Sequence, residues 1–132
     1  MAIPITALYA GILAFILTWL AFRAGSLRGK KKISIGDGGN VEMLEAIRRH
    51  ANAVEYVPLA LILIAVLELN GANSAFLHVL GIVLVIARIA HPLGLKAESM
   101  GDPRRAIGAG GTILVIVVAA GYAIWQGVGS ML

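Results

Sequence analysis

Arg48-Arg49-His50-Ala51-Asn52-Ala53-Val54-Glu55-Tyr56-Val57-Pro58 decides how this chain folds. Residues 59–67 follow it and are apolar without a break, so the stretch opens a helix rather than a loop. At about 100° per residue, Arg48, Asn52 and Glu55 share one face of that helix, at i, i+4 and i+7, with Tyr56 on its flank. A guanidinium, an amide, a carboxylate and a phenol are costly beside hydrocarbon unless they serve one another or a ligand. One Arg or Glu alone would read as a snorkelling anchor. Four such groups on one side point to a polar site.

The surrounding chain is built for lipid. Of its 132 residues 59% are hydrophobic and 14% charged, where a soluble domain carries about 25% charge; the mean hydropathy is +0.89. Apolar runs lie near residues 4–22, 57–69, 75–93 and 106–125. The first, third and fourth approach the ~20 residues that cross a bilayer as a helix, and the second does so only by including the polar stretch. The expected fold is all-α, an integral membrane four-helix bundle in one domain over 1–132, with helices near 4–24, 41–69, 75–92 and 104–126. Open sheet edges are excluded because lipid cannot satisfy their backbone groups. The chain has no cysteine, which excludes disulfides, iron–sulfur ligation and a cysteine nucleophile; any thiol chemistry uses a thiol brought by the substrate. Its formal charge of +4 is no sign of nucleic acid, since the basic residues cluster at helix ends and in one loop.

Before the decisive stretch, Asn40 is a good N-cap, and Glu42 and Glu45 complement the dipole of the helix that follows. A helix over 41–69 would be about 43 Å long against ~30 Å of hydrocarbon, so its first turns protrude, and Pro58 should bend it just past the polar groups. Helix 1 starts at Pro4 and carries its positive charge after the apolar run, as a retained span does. The loop beyond it holds Arg28, Lys30, Lys31 and Lys32, then Gly36-Asp37-Gly38-Gly39. It is a turn-rich segment and not a phosphate loop, because Lys31 stands where GxxxxGK[ST] needs Ser or Thr. Helix 3 brings Arg88 and His91 to its far end, and helix 4 opens with Arg104 and Arg105. All eleven Lys and Arg lie in the first and third loops or the adjoining helix ends. The positive-inside rule then places both termini outside and the polar groups of helices 2, 3 and 4 at one cytoplasmic depth. The N-termini of helices 2 and 4 point the same way and favour anions.

The run RRHANAVEYVP resembles the RxxxNxxEYxP signature of the MAPEG family, the membrane-associated proteins of eicosanoid and glutathione metabolism. Ala87-Arg88-Ile89-Ala90-His91-Pro92-Leu93-Gly94 is similar to that family's Arg-rich end of helix 3, and the layout of four helices extends the resemblance over nearly the whole chain. The resemblance, to a bacterial member, implies a homotrimer in the inner membrane with glutathione bound as co-substrate between adjacent subunits. It implies contacts from Arg48, Asn52, Glu55 and Tyr56, a polar ligand contact at the position of His50, a thiolate partner in Arg105, and support from Arg88. His91 and Leu95 stand where the leukotriene-synthase branch has a pair of tyrosines, so His91 is either a site residue or a cap on helix 3 carbonyls.

The chemistry agrees with those residues. Arginines match the two carboxylates of glutathione bidentately, and Glu55 its ammonium. A guanidinium beside the thiol, whose free pKa is near ~8.5, populates the nucleophilic thiolate, which can meet a lipophilic small molecule arriving through the bilayer. A glutathione transferase or peroxidase is therefore expected, and the alternative is a non-catalytic glutathione- or lipid-binding protein. A small multidrug transporter would carry an acidic residue in helix 1, and residues 4–22 contain none. A haem held by His50 and His91 fits poorly, since Arg, Asn and Glu beside His50 suit an anionic peptide better. Arg49 and Lys30 to Lys32 read as topology determinants and headgroup contacts, His78 as an interfacial residue without a role, and Tyr122 and Trp125 as an outer aromatic belt.

Overall fold

In a computed structural model, which describes residues 2–132, the chain forms α1 (Pro4–Lys31), α2 (Val41–Leu69), α3 (Ser74–Gly94) and α4 (Pro103–Gly129). Each helix is long and apolar enough to cross a membrane, and among the described residues the only bridge is an isolated one between Lys96 and Ser99. The chain is a multi-pass membrane protein. Its outward side chains say the same: Phe15 is 81% exposed and Ile124 67%, a distribution that suits lipid rather than water.

The boundaries follow local chemistry. Asn40 caps α2 by accepting from the Met43 N–H at 3.0 Å, and the helix runs through Pro58 without interruption. Asn73 caps α3 and Asp102 caps α4, the latter ahead of a proline at the first helical position. α1 departs from expectation. Its apolar run ends near Phe22, yet the helix continues to Lys31 and stops only at Lys32, which takes a left-handed conformation with φ 55°. Arg and Lys are strong helix formers, so leaving the hydrocarbon does not end a helix. Arg28 then ties down the following turn through the carbonyls of Ser34 and Gly36, at 3.4 and 2.9 Å.

Packing sets two distinct ends. At the neutral end, Glu68 near the close of α2 meets the start of α1: its carboxylate accepts from the Ile5 and Thr6 N–H groups at 2.9 and 2.8 Å and from Thr6 Oγ1 at 2.6 Å. The N-terminal amides of a helix have no partner within it, and Glu68 supplies one from another helix. Tyr9 lies against Gly81 of α3, in the space a side chain there would take, and its hydroxyl bonds His78 Nδ1 at 2.9 Å. His78 therefore joins α3 to α1, contrary to the roleless surface position expected for it. At the basic end, α3 and α4 approach through glycines: Gly108 packs on the backbone of His91, and Gly94 on the backbone of Arg104 and Arg105. Between the ends Leu13, Ile64, Leu84 and Val115 fill a common core. α1 and α4 do not pack on each other.

Candidate functional site

Arg48, Asn52 and Glu55 keep to one side of α2: Arg48 pairs with Glu55 and shares a cleft with Asn52. Asn52 turns inward and meets Arg88 of α3, which is 2% exposed. Arg88 Nη1 donates to Asn52 Oδ1 at 2.9 Å and Nη2 to the Gly108 carbonyl of α4 at 2.8 Å, while Nε is buried without a partner. A guanidinium can only donate, so it fixes which way the Asn52 amide faces: the oxygen goes to Arg88 and the NH2 stays available as a donor. No carboxylate lies within 4.0 Å of Arg88 among the described residues, so its charge is held by neutral carbonyls alone. Burying a cation in that way is costly and is a mark of function more than of stability.

Next to this pair is a cleft of ≈ 340 Å³, walled by Arg48 and Asn52 of α2, His91 of α3, Arg105 of α4, and Leu95 and Met100 of the intervening loop. Four of the residues singled out from sequence thus share one volume. Tyr56 lines a smaller cavity of ≈ 40 Å³ with Asn52, Arg88 and Thr112. Arg48 Nη1 lies 3.6 Å from Glu55 Oε1, an ion pair with both side chains half exposed. Such a pair contributes little to stability and gives way readily to a ligand. His50 is half-buried and lines neither cavity. His91 is 4% exposed and sits against Gly108, so it is both packed at the α3–α4 contact and part of the cleft wall.

Two residues act differently from expectation. Arg49 is not a headgroup contact: its Nε and Nη2 donate to the Leu95 carbonyl at 3.1 and 2.7 Å, and Nη2 also meets Glu45 Oε2 at 2.8 Å. Glu45, expected to serve the helix dipole, accepts from the Ala97 N–H at 2.8 Å. Together they strap the third loop to α2 and build the roof of the cleft. With Glu45 so engaged, the cleft presents Arg48, Lys96 and Arg105, an excess of positive charge suited to an anionic ligand. Asp102 holds Arg104 through Nε and Nη2 at 3.0 and 2.6 Å, and that partner keeps its carboxyl low, at about 2. Arg105 is left as the arginine of this pair that faces the cleft.

A model of the MAPEG family matches residues 6–125. "Inner membrane protein YecN" of Escherichia coli K12 is 36% identical over 124 residues, covering 92% of this chain and 95% of that protein. The protein of the same name from Escherichia coli O6:H1 strain CFT073 aligns equally, at 36% over 124 residues.

Proposed function

The chain belongs to the MAPEG family, and from that membership we propose that it binds glutathione in the basic-end cleft and uses the thiolate against lipophilic electrophiles. The observation that carries the proposal is the convergence of Arg48, Asn52 and Arg105, from two helices, on one cationic volume of ≈ 340 Å³. That size falls at the lower end of the ~300–1,000 Å³ usual for small-molecule sites. Arg48 takes a carboxylate of glutathione, Asn52 donates its oriented amide, and Glu55 exchanges its exposed pairing with Arg48 for the ligand's ammonium. Arg105 stabilises the thiolate once the thiol has lost its proton to solvent; the sulfur then attacks an electrophilic carbon, and the new carbon–sulfur bond forms as a leaving group departs with its bonding pair or as the π pair of an activated double bond is displaced and takes a proton from solvent. Arg88 touches no ligand in this scheme and acts as a positioning residue through Asn52.

The basic end faces the cytoplasm and the bilayer is the bacterial inner membrane, as the positive-inside rule and the name of the relative support. Arg48 and Glu55 are half exposed in the single chain, which supports completion of the site by a neighbouring copy in a homotrimer. A non-catalytic glutathione- or lipid-binding protein is the competing reading, favoured by the packing of His91 against Gly108, which leaves that position little freedom to assist a thiol. Calorimetric titration in detergent should give glutathione binding, and ultraviolet absorbance should show thiolate near neutral pH that recedes in Arg105→Ala. Absence of binding at millimolar glutathione refutes the site. Binding without ionisation refutes the enzyme and retains the binding protein. Reporter fusions should place residue 132 outside and an insertion beside Lys31 inside.

A further inference from the structure

A second cleft, of ≈ 280 Å³, opens between α1 and α2 at the basic end, on the far side of α2 from the glutathione cleft's α3 and α4 walls. It exists because α1 outruns its apolar segment. Arg23, Ser26, Leu27 and Lys30 follow at i, i+3, i+4 and i+7 on one face of the extension, and that face looks onto Glu42 and Arg49 of α2. The charges are unevenly spent. Glu42 pairs with Lys31 at 3.1 Å and Arg49 with Glu45 and the Leu95 carbonyl. Arg23 and Lys30 have no carboxylate within 4.0 Å among the described residues. Two unspent cations thus stand at the mouth, while Leu20 and Leu27 supply an apolar floor.

Depth gives the cleft its meaning. Residues 4–23 span about 30 Å as a helix, the thickness of the hydrocarbon, so Arg23 marks its boundary. Lys30 lies about 10 Å further along the axis, and the headgroup layer is roughly 5–7 Å deep on each side. The two cations therefore bracket the plane of lipid phosphates. The Arg23 guanidinium is also held 5.2 Å over the Trp19 ring, which steadies it at that level.

We propose that this cleft is a binding site for an anionic phospholipid, with its phosphate between Arg23 and Lys30 and the start of its acyl chains on Leu20 and Leu27. The volume accommodates a phosphate and its glycerol, and the chains remain in the bilayer. Trp19 lines a neighbouring groove against α3 and not the cleft itself, but it reports on the site through Arg23, whose guanidinium lies 5.2 Å over its ring; the other tryptophan, Trp125, lies near the end of α4 at the neutral end.

The test uses the full chain carrying Trp125→Phe, reconstituted in phosphatidylcholine vesicles of fixed ionic strength. Either phosphatidylglycerol or phosphatidylcholine, brominated on its upper acyl carbons, is added as quencher of Trp19. Phosphatidylglycerol should quench preferentially. Lys30→Gln should lower that preference about tenfold, the loss of one charge-assisted contact to the phosphate, and Lys32→Gln, which lines no part of the cleft, should lower it clearly less. Equal loss in the two variants would reduce the effect to diffuse attraction and overturn the site, as would the absence of any preference. Loss of the preference on adding millimolar inorganic phosphate would make the cleft a free-anion site. Loss on adding glutathione would make it part of the glutathione site. Either result overturns the lipid assignment, whereas failure of the preference in the absence of glutathione leaves the reading of the other cleft untouched.

Discussion

Substituting Asn52 by Ala removes the carbonyl 2.9 Å from Arg88 Nη1 and leaves a guanidinium that is 2% exposed with the Gly108 carbonyl as its one partner. A hydrogen bond to a charged group contributes ~1.5–3 kcal/mol, and a buried charge deprived of a partner costs ~3–5 kcal/mol, so Asn52→Ala should destabilise by about 3 kcal/mol. Arg88→Met should be milder. It replaces the desolvated charge with an apolar chain of similar reach, a change that is often close to neutral. Gly108 keeps a partner, since Thr112 Oγ1 donates to the same carbonyl at 2.8 Å, and Asn52 lines the open cleft, where water can replace the lost donor. Arg88→Met should therefore cost about 1 kcal/mol, and the double variant should be more stable than Asn52→Ala alone by ~1–2 kcal/mol. Unfolding in mixed micelles, titrated with an anionic detergent and followed by circular dichroism, measures all four corners of the cycle. Additivity within ~0.5 kcal/mol would refute the reasoning, because it would mean the two side chains do not hold each other.

Gly108→Ala should destabilise by ~1–3 kcal/mol in the same assay, because its methyl group meets the His91 backbone, whereas Gly110→Ala, with open space around it, should be neutral or slightly stabilising. Glu68→Ala should accelerate amide exchange at residues 5–9 and cost ~1–2 kcal/mol, the usual effect of losing a helix cap. Asp102 is held at about 2 in the folded chain by Arg104, below its ordinary 3.8, so its contribution is present above pH ~4 and lost as pH falls through about 2. Asp102→Asn should accordingly flatten the acid side of the stability profile between those values, as read by thermal unfolding.

Local chemistry explains what could be read in advance. The apolar runs fixed four spans, and the Asn40 cap fixed the start of α2 to the residue. That Arg48, Asn52, His91 and Arg105 meet at one end of the bundle also followed from charge segregation, while the choice of Arg105 over Arg104 rests on the family resemblance and the sequence leaves His91 open between site and cap. What escaped was long-range. Glu68 reaches α1 over 62 and 63 positions of sequence, and Arg49 reaches Leu95 over 46. Nothing in the local pattern distinguishes a lone acid near a helix end, or one arginine of a pair, as the member that finds a distant backbone partner. The length of α1 escaped for another reason: hydropathy reports where lipid ends, and the helix ends where turn chemistry stops it, at Lys32. One missed feature was legible, because Asp102 directly before Pro103 is a capping signal in itself.

The neutral end has a consequence for how the chain enters its membrane. In the proposed orientation every Lys and Arg stays on the cytoplasmic side, so no Lys or Arg side chain, each costing ~2.5–3.5 kcal/mol at the bilayer centre, has to be carried across during synthesis. Glu68 is the exception among the charges, and its carboxylate finds its three donors only when the start of α1 lies beside the end of α2. A lone α2 would have to take that acid through hydrocarbon unsatisfied. Paired with α1 in the proposed orientation, it would cross with its hydrogen bonds already made, which favours insertion of α1 and α2 as a hairpin over insertion helix by helix.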